Sequence, residues 1–184
     1  MRLAVLRVGP VELDVAQTIQ QNLEKIFPAT TCTLLEHAMS IPREAYNKGR
    51  EQYSSTKILM DVQDHLQDLD TDRVLAVTSV DLYASRLNFV FGEAECPGRV
   101  AIISLFRLRP KFYGQPPNEE LYVKRCVKEA VHEVGHMLGL SHCHDSSCVM
   151  FFSNSIIDTD HKETSFCDKC RQSVDRHLTE SQRT

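Results

Sequence analysis

The chain reads as an α/β protein. Short apolar runs rich in β-branched residues alternate with stretches in which apolar residues recur every three to four positions. Breaks carrying Gly and Pro separate them. With 184 residues, 42% hydrophobic and 25% charged, the chain is long enough for one real core and balanced as globular domains are.

Residues 3–8 are an apolar run stopped by Gly9 and Pro10, which predicts a first strand. From Asp14, a candidate cap, Val15, Ile19, Leu23 and Ile26 share one face of a helix that ends before Pro28. Thr31 to Leu35 reads as a second strand. Residues 38–53 carry Pro42 and Gly49 and few periodic apolar residues, so they read as a loop or ragged hairpin. Ser54 or Ser55 can cap a second helix with Ile58, Leu59, Val62 and Leu66 inward. A turn at Asp70 to Asp72 leads into Val74 to Val80, whose unbroken apolar run predicts a strand in the middle of a sheet. Phe89 to Phe91 and Val100 to Leu105 flank Gly92 to Gly98, predicting strand, bulge or turn, strand.

Pro110 to Pro117 is a loop rich in helix breakers. Asn118 can then cap a long helix, with Glu119 and Glu120 at its positive end. Leu121, Val127, Val131, Val134 and Leu138 form its buried stripe. Arg171 to Gln182 predicts a closing amphipathic helix with Val174 and Leu178 inward. The sequence shows no internal repeat and no low-complexity segment.

The chemistry gathers at the end of the long helix. His132 and His136 are four apart and so project from one face, a spacing at which two imidazoles bind one zinc ion. Glu133 leans toward such a metal without being forced to bind it, which is the place of a general base acting on water. Gly139 accepts positive φ, so the chain can turn back there and bring His142 in as third ligand. His144 and Asp145 are near enough in sequence to compete for that place, and His144 for a place among the thiolates. Three protein nitrogens leave a fourth position for water, the mark of a catalytic zinc. Cys143 and Cys148 form a C-x4-C pair, Cys167 and Cys170 a C-x2-C pair, and 18 residues separate the pairs. Four thiolates in that arrangement form a closed, structural zinc site. Singly, each residue has a plainer role: a charged helix turn for the His-Glu motif, a helix end for Gly139, core filler for Cys143 and Met150. The conjunction carries the reading.

The run His132-Glu133-x-x-His136-x-x-Gly139-x-x-His142, with Met150 downstream, resembles the metzincin clan of zinc metallopeptidases. Cys143 directly after the third histidine, Cys148 just before Met150, and the Cys167-x-x-Cys170 pair resemble the archaemetzincin family in particular. The resemblance implies a metzincin-like fold: an N-terminal mixed sheet with an antiparallel edge strand, a backing helix and an active-site helix, then a small irregular C-terminal lobe ending in a helix. It implies one catalytic domain over residues 1–184, with an upper subdomain 1–139 and a lower subdomain 140–184. It assigns His132, His136 and His142 to a catalytic zinc and Glu133 to general base and acid. Met150 takes the tight turn beneath the metal, and Cys143, Cys148, Cys167 and Cys170 take a second, structural zinc. The clan's edge strand runs antiparallel to bound peptide, for which Arg99 to Leu105 or Phe89 to Ala94 is the candidate. Phe151 and Phe152, not a tyrosine, follow Met150, so oxyanion stabilisation falls to zinc or backbone groups.

A net charge of −4 argues against a nucleic-acid partner. The cluster Arg107, Arg109, Lys111 reads as a solvated strand end. Residues 2–8 are too short and too charged for a signal core, and no apolar run reaches transmembrane length. Seven cysteines without an export signal are expected to be reduced thiols in a cytoplasmic protein, with Cys32, Cys96 and Cys126 inert and buried or half-buried. The early first strand leaves zymogen control by a propeptide in doubt. His161 reads as solvated. Asp158, Asp160 and Lys162 read as a polar loop, with a carboxylate partner for a zinc-bound histidine as the alternative. The expected partner is a peptide or protein substrate, with no nucleic acid, no membrane and a monomeric state. Two other classes stay open: a zinc-binding regulatory module with little turnover, and a thiolate-zinc finger, which the acidic balance disfavours.

Overall fold

The computed structural model of the chain describes residues 1–66 and 69–180. In chain order the elements are β1 (Arg2–Val8), α1 (Leu13–Ile26), β2 (Thr31–Leu34), β3 (Tyr46–Asn47), β4 (Gln52–Ser54) and α2 (Ser55–Leu66). Then come β5 (Arg73–Thr78), β6 (Leu82–Tyr83), β7 (Gly92–Ala94), β8 (Val100–Ser104), α3 (Glu119–Met137), α4 (Ile156–His161) and α5 (Asp168–Glu180). The predicted end of the last helix at Gln182 lies outside the described residues.

Five strands form a mixed sheet in the order β2-β1-β5-β8-β7. All neighbours are parallel except β7, which runs antiparallel to β8 with Gly92 opposite Ile103 and Ala94 opposite Ala101. Side chains alternate across the sheet as the strand period requires. Leu3, Val5, Leu75, Val77, Ala101 and Ile103 pack into one core with α1 and α3. Ala4, Leu6, Val74, Ala76, Val100 and Ile102 pack into the other, with α2. Helices on both faces explain why these strands read as unbroken apolar runs.

Several sequence expectations are corrected. Residues 38–53 do hold a ragged hairpin: β3 and β4 pair antiparallel and, with β6, form a second sheet of three short strands. Arg99 to Leu105 is not an edge, because β8 sits between β5 and β7 and every residue of it is buried. The edge belongs to the Phe89 to Ala94 candidate, through β7. The turn expected over Gly92 to Gly98 is shorter, since its first three residues are that strand. Asp14 does not cap α1: the helix begins one residue earlier behind Glu12, and the Asp14 carboxylate accepts from the N–H of Val15. Ser54, rather than Ser55, accepts from a first-turn amide of α2, that of Lys57.

The α3 helix is buried far beyond a single stripe. Asn118 caps it through the N–H of Leu121 as expected. Leu121 itself is only half-buried, and Tyr122 takes the inner place. From Arg125 to Gly135 every residue is buried, because the sheet covers one side and the C-terminal lobe the other. Charged residues in that run need partners inside. Arg125 donates two bonds to Asp160, at 2.7 and 2.6 Å. Lys128 Nζ donates to the carbonyls of Thr159 and Asp160. Glu129 Oε1 lies 3.0 Å from Lys162 Nζ as an ion pair and accepts from the Thr159 hydroxyl at 3.1 Å. The expected polar loop is therefore the short helix α4, closed by a Ser155–Asp158 capping box and docked on α3 by ion pairs whose α3 members are buried.

Both partners of the Glu129–Lys162 pair are shielded from water, at 3% and 0% exposure. Removing one leaves the other buried and uncompensated. Lys162→Met should cost about 3–5 kcal/mol in urea denaturation. The double variant with Glu129→Gln should recover part of that loss.

Candidate active site

The last turn of α3 sets the geometry. Gly139 has φ +87°, a left-handed conformation that suits glycine. Its N–H bonds the carbonyl of His136 at 2.8 Å, and the N–H of Leu140 bonds that of Gly135 at 3.1 Å. This pair of bonds ends the helix and reverses the chain. Leu140 then returns its own carbonyl to His136 Nδ1 at 2.7 Å. The carbonyl of Val149 meets His132 Nδ1 at 2.8 Å. A carbonyl only accepts, so in both rings Nδ1 carries the proton and Nε2 is left as a free donor of its lone pair. The two Nε2 atoms lie 3.1 Å apart. The alternative of a carboxylate partner is not met at these two rings, whose Nδ1 partners are backbone carbonyls.

The reversed chain brings in His142, whose ring centroid is 5.4 Å from that of His132 and 4.8 Å from that of His136. One nitrogen from each of the three rings falls within 4.8 Å of the others, a set that could hold a metal ion. His144 and Asp145 do not join this set. His144 is exposed, and Asp145 turns back to accept from the amide and hydroxyl of Ser147. His161 is exposed, as expected, facing Ser146.

The four cysteine sulfurs form the second cluster, again mutually within 4.8 Å. Zinc–sulfur bonds of about 2.3 Å at tetrahedral angles place sulfurs about 3.8 Å apart. Cys143 Sγ and Cys167 Sγ are 3.8 Å apart. The backbone N–H of Cys167 points at Cys148 Sγ at 3.3 Å, and the N–H of Cys170 holds the Cys167 thiol below its ordinary pKa. Both contacts favour thiolates. Of the other thiols, Cys32 and Cys126 are buried, and burial pushes Cys32 up to about 12. Cys96 corrects the expectation, because it is exposed and lines the cleft.

Met150 is fully buried beneath the helix, against Gly135, where a Cβ would lie 3.1 Å from Met150 Cε and closer still to its sulfur. Its carbonyl accepts from the N–H of Cys143 at 2.9 Å. The turn under the histidines is thus tied to the first cysteine.

A cleft of about 520 Å³ lies over the histidines, walled by Phe91 to Ala94 on one side and Phe152 to Asn154 on the other. Glu133 lies in it with 4% exposure. Burial, and then Glu129, raise its carboxyl well above the ordinary value. Burial, and then the charge of Lys162, hold the His132 imidazole well below its own, so the ring is neutral and able to ligate. A dication among the rings would oppose the shift at Glu133.

Two glycines that sequence reasoning passed over shape the site. A Cβ on Gly92 would come within 2.7 Å of Glu133 Cγ and Cδ, so β7 crosses directly over that side chain. Glycine inside a strand and glycine inside a helix were the available signals, since each marks a close approach. Gly92→Ala should displace Glu133 and cost about 1–3 kcal/mol by overpacking, read from chemical denaturation.

Comparisons with known proteins agree with this geometry. The sequence model of peptidase family M54 matches residues 10–176. A relative from Methanocaldococcus jannaschii named archaemetzincin is 48% identical over 92% of this chain and 90% of its own length. One from Pyrococcus abyssi, of the same name, is 39% identical over 96% of both chains. A crystal structure of archaemetzincin from Archaeoglobus fulgidus, complexed with malonate, superposes with a TM-score of 0.81 at 40% identity, covering 94% of this chain and 99% of that one.

Proposed function

The chain belongs to peptidase family M54, the archaemetzincins, and on that premise we propose that it hydrolyses peptide bonds with two zinc ions in place. That it is a zinc metallopeptidase follows from the family. In our reading His132, His136 and His142 hold the catalytic zinc, and Cys143, Cys148, Cys167 and Cys170 hold the structural one. The observation that carries the assignment is the convergence of three ring nitrogens and four sulfurs into two separate clusters, one open to the cleft and one closed. The donor types fit zinc: neutral imidazoles in one set, thiols in the other.

Zinc bound by the histidines supplies a Lewis acid that activates water and polarises the scissile carbonyl. Glu133, buried at the cleft floor, takes the proton from the attacking water and passes it to the leaving amine. The exposed edge of β7 offers backbone groups to an extended peptide, which would lie antiparallel to it. Residues 1–139 and 140–184 act as the two halves of one catalytic domain around this cleft. The chain works as a monomer on peptides, in the reducing cytoplasm that seven free thiols suit. No helix among the described residues is long and apolar enough to cross a membrane.

Glu133→Gln should keep its metal and lose turnover by a factor of at least about 100, the scale of a general base. Full activity in that variant removes the proton-transfer assignment. Metal analysis should give two zinc ions per chain, one lost in His132→Ala and the other in Cys167→Ala. A zinc-loaded protein that cleaves no member of a peptide library would instead favour a binding role.

A further inference from the structure

Phe106 and Phe112 leave much of their rings in solvent, at 38% and 43% exposure, and touch each other with centroids 5.5 Å apart. Exposed apolar side chains scattered singly are ordinary, whereas contiguous ones mark a surface that meets something apolar. These two are joined to the catalytic cleft by an unbroken stack. Arg107 Cζ lies 5.0 Å from the ring centroid of Phe112 and 4.4 Å from that of Phe89. The Phe89 ring lies 5.1 Å from that of Phe91, and both line the cleft. The charge of Arg107 is already answered, because its Nε and one terminal nitrogen each donate to the Asp81 carboxylate at 2.7 Å. What it shows the rings is a flat plate held in one orientation. The backbone places the strip as well. Ser104, two residues before Phe106, donates its N–H to the carbonyl of Phe91 at 2.7 Å, just ahead of β7.

We propose that Phe106 and Phe112 form a distal subsite for an aromatic side chain of the peptide substrate, downstream of the bond that is cut. The inference rests on the peptidase reading above and carries the substrate beyond the cleft. A peptide antiparallel to β7 runs from the level of Ala94 to that of Gly92 and on toward Phe91 and Phe89. Gly92 crosses over Glu133, so the cut falls near that level, and the residues that pass Phe89 lie on its C-terminal side. The successive spacings of 5.1, 4.4 and 5.0 Å put the Phe112 ring within about 15 Å of the Phe91 ring, a span of about four or five residues of extended chain. The occupant is therefore the substrate's own chain, at roughly the third to fifth residue after the cut. A ring laid edge-to-face on Phe112 or Phe106 gains both burial and an aromatic contact. A serine or glutamate there gains neither, and the Arg107 charge that a glutamate would seek is held by Asp81.

The test compares internally quenched peptides cut by the zinc-loaded protein, with the cut located by mass spectrometry. Phe, Ser or Glu is placed in turn at the third, fourth and fifth residues after it. The expected result is a kcat/KM for Phe at one of these positions on the order of 10-fold above Ser and Glu. The gain should sit in KM with kcat little changed, because the contact is the same in the ground and transition states. The double variant Phe106→Ser, Phe112→Ser should bring the Phe-to-Ser ratio close to one. A ratio taken within one variant does not depend on how much of it is folded. Binding gives a second readout: in Glu133→Gln, the Phe peptide should bind more tightly than the Ser peptide by fluorescence anisotropy, and adding Phe112→Ser should erase the difference. Equal cleavage of the Phe and Ser peptides overturns the subsite, as does a preference that the double variant leaves untouched or one found only upstream of the cut. A zinc-loaded protein that cleaves no peptide, yet binds the Phe peptide with a preference that depends on Phe112, overturns the peptidase reading while supporting the subsite.

Discussion

The constraint from which the rest of the structure follows is the burial of α3 on all sides. A helix covered by a sheet on one face and by the chain's own C-terminal lobe on the other has no solvated side on which to leave its polar residues. Arg125, Lys128, Glu129, His132 and Glu133 are all buried in it. All but Glu133 are answered by a group on another element. Asp160, Lys162 and the carbonyls of Thr159 and Val149 come from residues 149–162, and the carbonyl of Leu108 takes one more bond from Arg125. The C-terminal lobe is therefore no appendage. It is the polar half of the core of α3, and its position is fixed by the charges and imidazoles it must satisfy.

The same short lobe ties the histidine and cysteine clusters into one object. His142 and Cys143 are consecutive, so a residue of each cluster shares a peptide bond. The N–H of Cys143 bonds the carbonyl of Met150, and Met150 packs under Gly135 between the two histidines of the helix. His142 itself is exposed and makes ring contacts only, with the other two histidines and with Phe152. Little else among the described residues holds that ring in place. Gathering the four thiols fixes Cys143 and with it the backbone on which His142 stands. This is the physical use of a closed cluster beside an open one.

Much of this was legible in the sequence, for particular reasons. The parallel strands announced themselves because both faces of the sheet are covered, which removes alternation and leaves runs such as Val74 to Val77. The two clusters were legible because ligand spacing on a helix and around a glycine turn is local, and His132, His136, Gly139 and His142 all lie within one reversal of the chain. What failed was long-range. Arg99 to Leu105 looked as suitable for an edge as Phe89 to Ala94, and only pairing with β5 decides that β8 is interior. Asp158, Asp160 and Lys162 looked solvated because charge in a short segment usually is. Asp160 and Lys162 are instead paired with α3 residues about thirty positions away, and of the three only Lys162 is buried. Gly92 carried a local signal, yet its meaning lay in Glu133, on another element.

The charge balance of this core explains how a buried acid, a buried base and a candidate cation site can share one helix. Arg125, Lys128 and Lys162 stand against Glu129, Glu133 and Asp160, three against three. Four of the six are committed in pairs, Arg125 with Asp160 and Lys162 with Glu129, and Lys128 is held by two carbonyls. That leaves Glu133 as the one member with neither an ion pair nor a hydrogen bond among the described residues. In the bare chain burial drives it toward its neutral form. A carboxylate left uncompensated in this way is stabilised by positive charge arriving from outside the polypeptide, and the three neutral imidazoles facing the same cleft are placed to hold such a charge. The engagement of every other charge in this set thus leaves Glu133 free to respond to that arrival, as the proposed proton transfer requires.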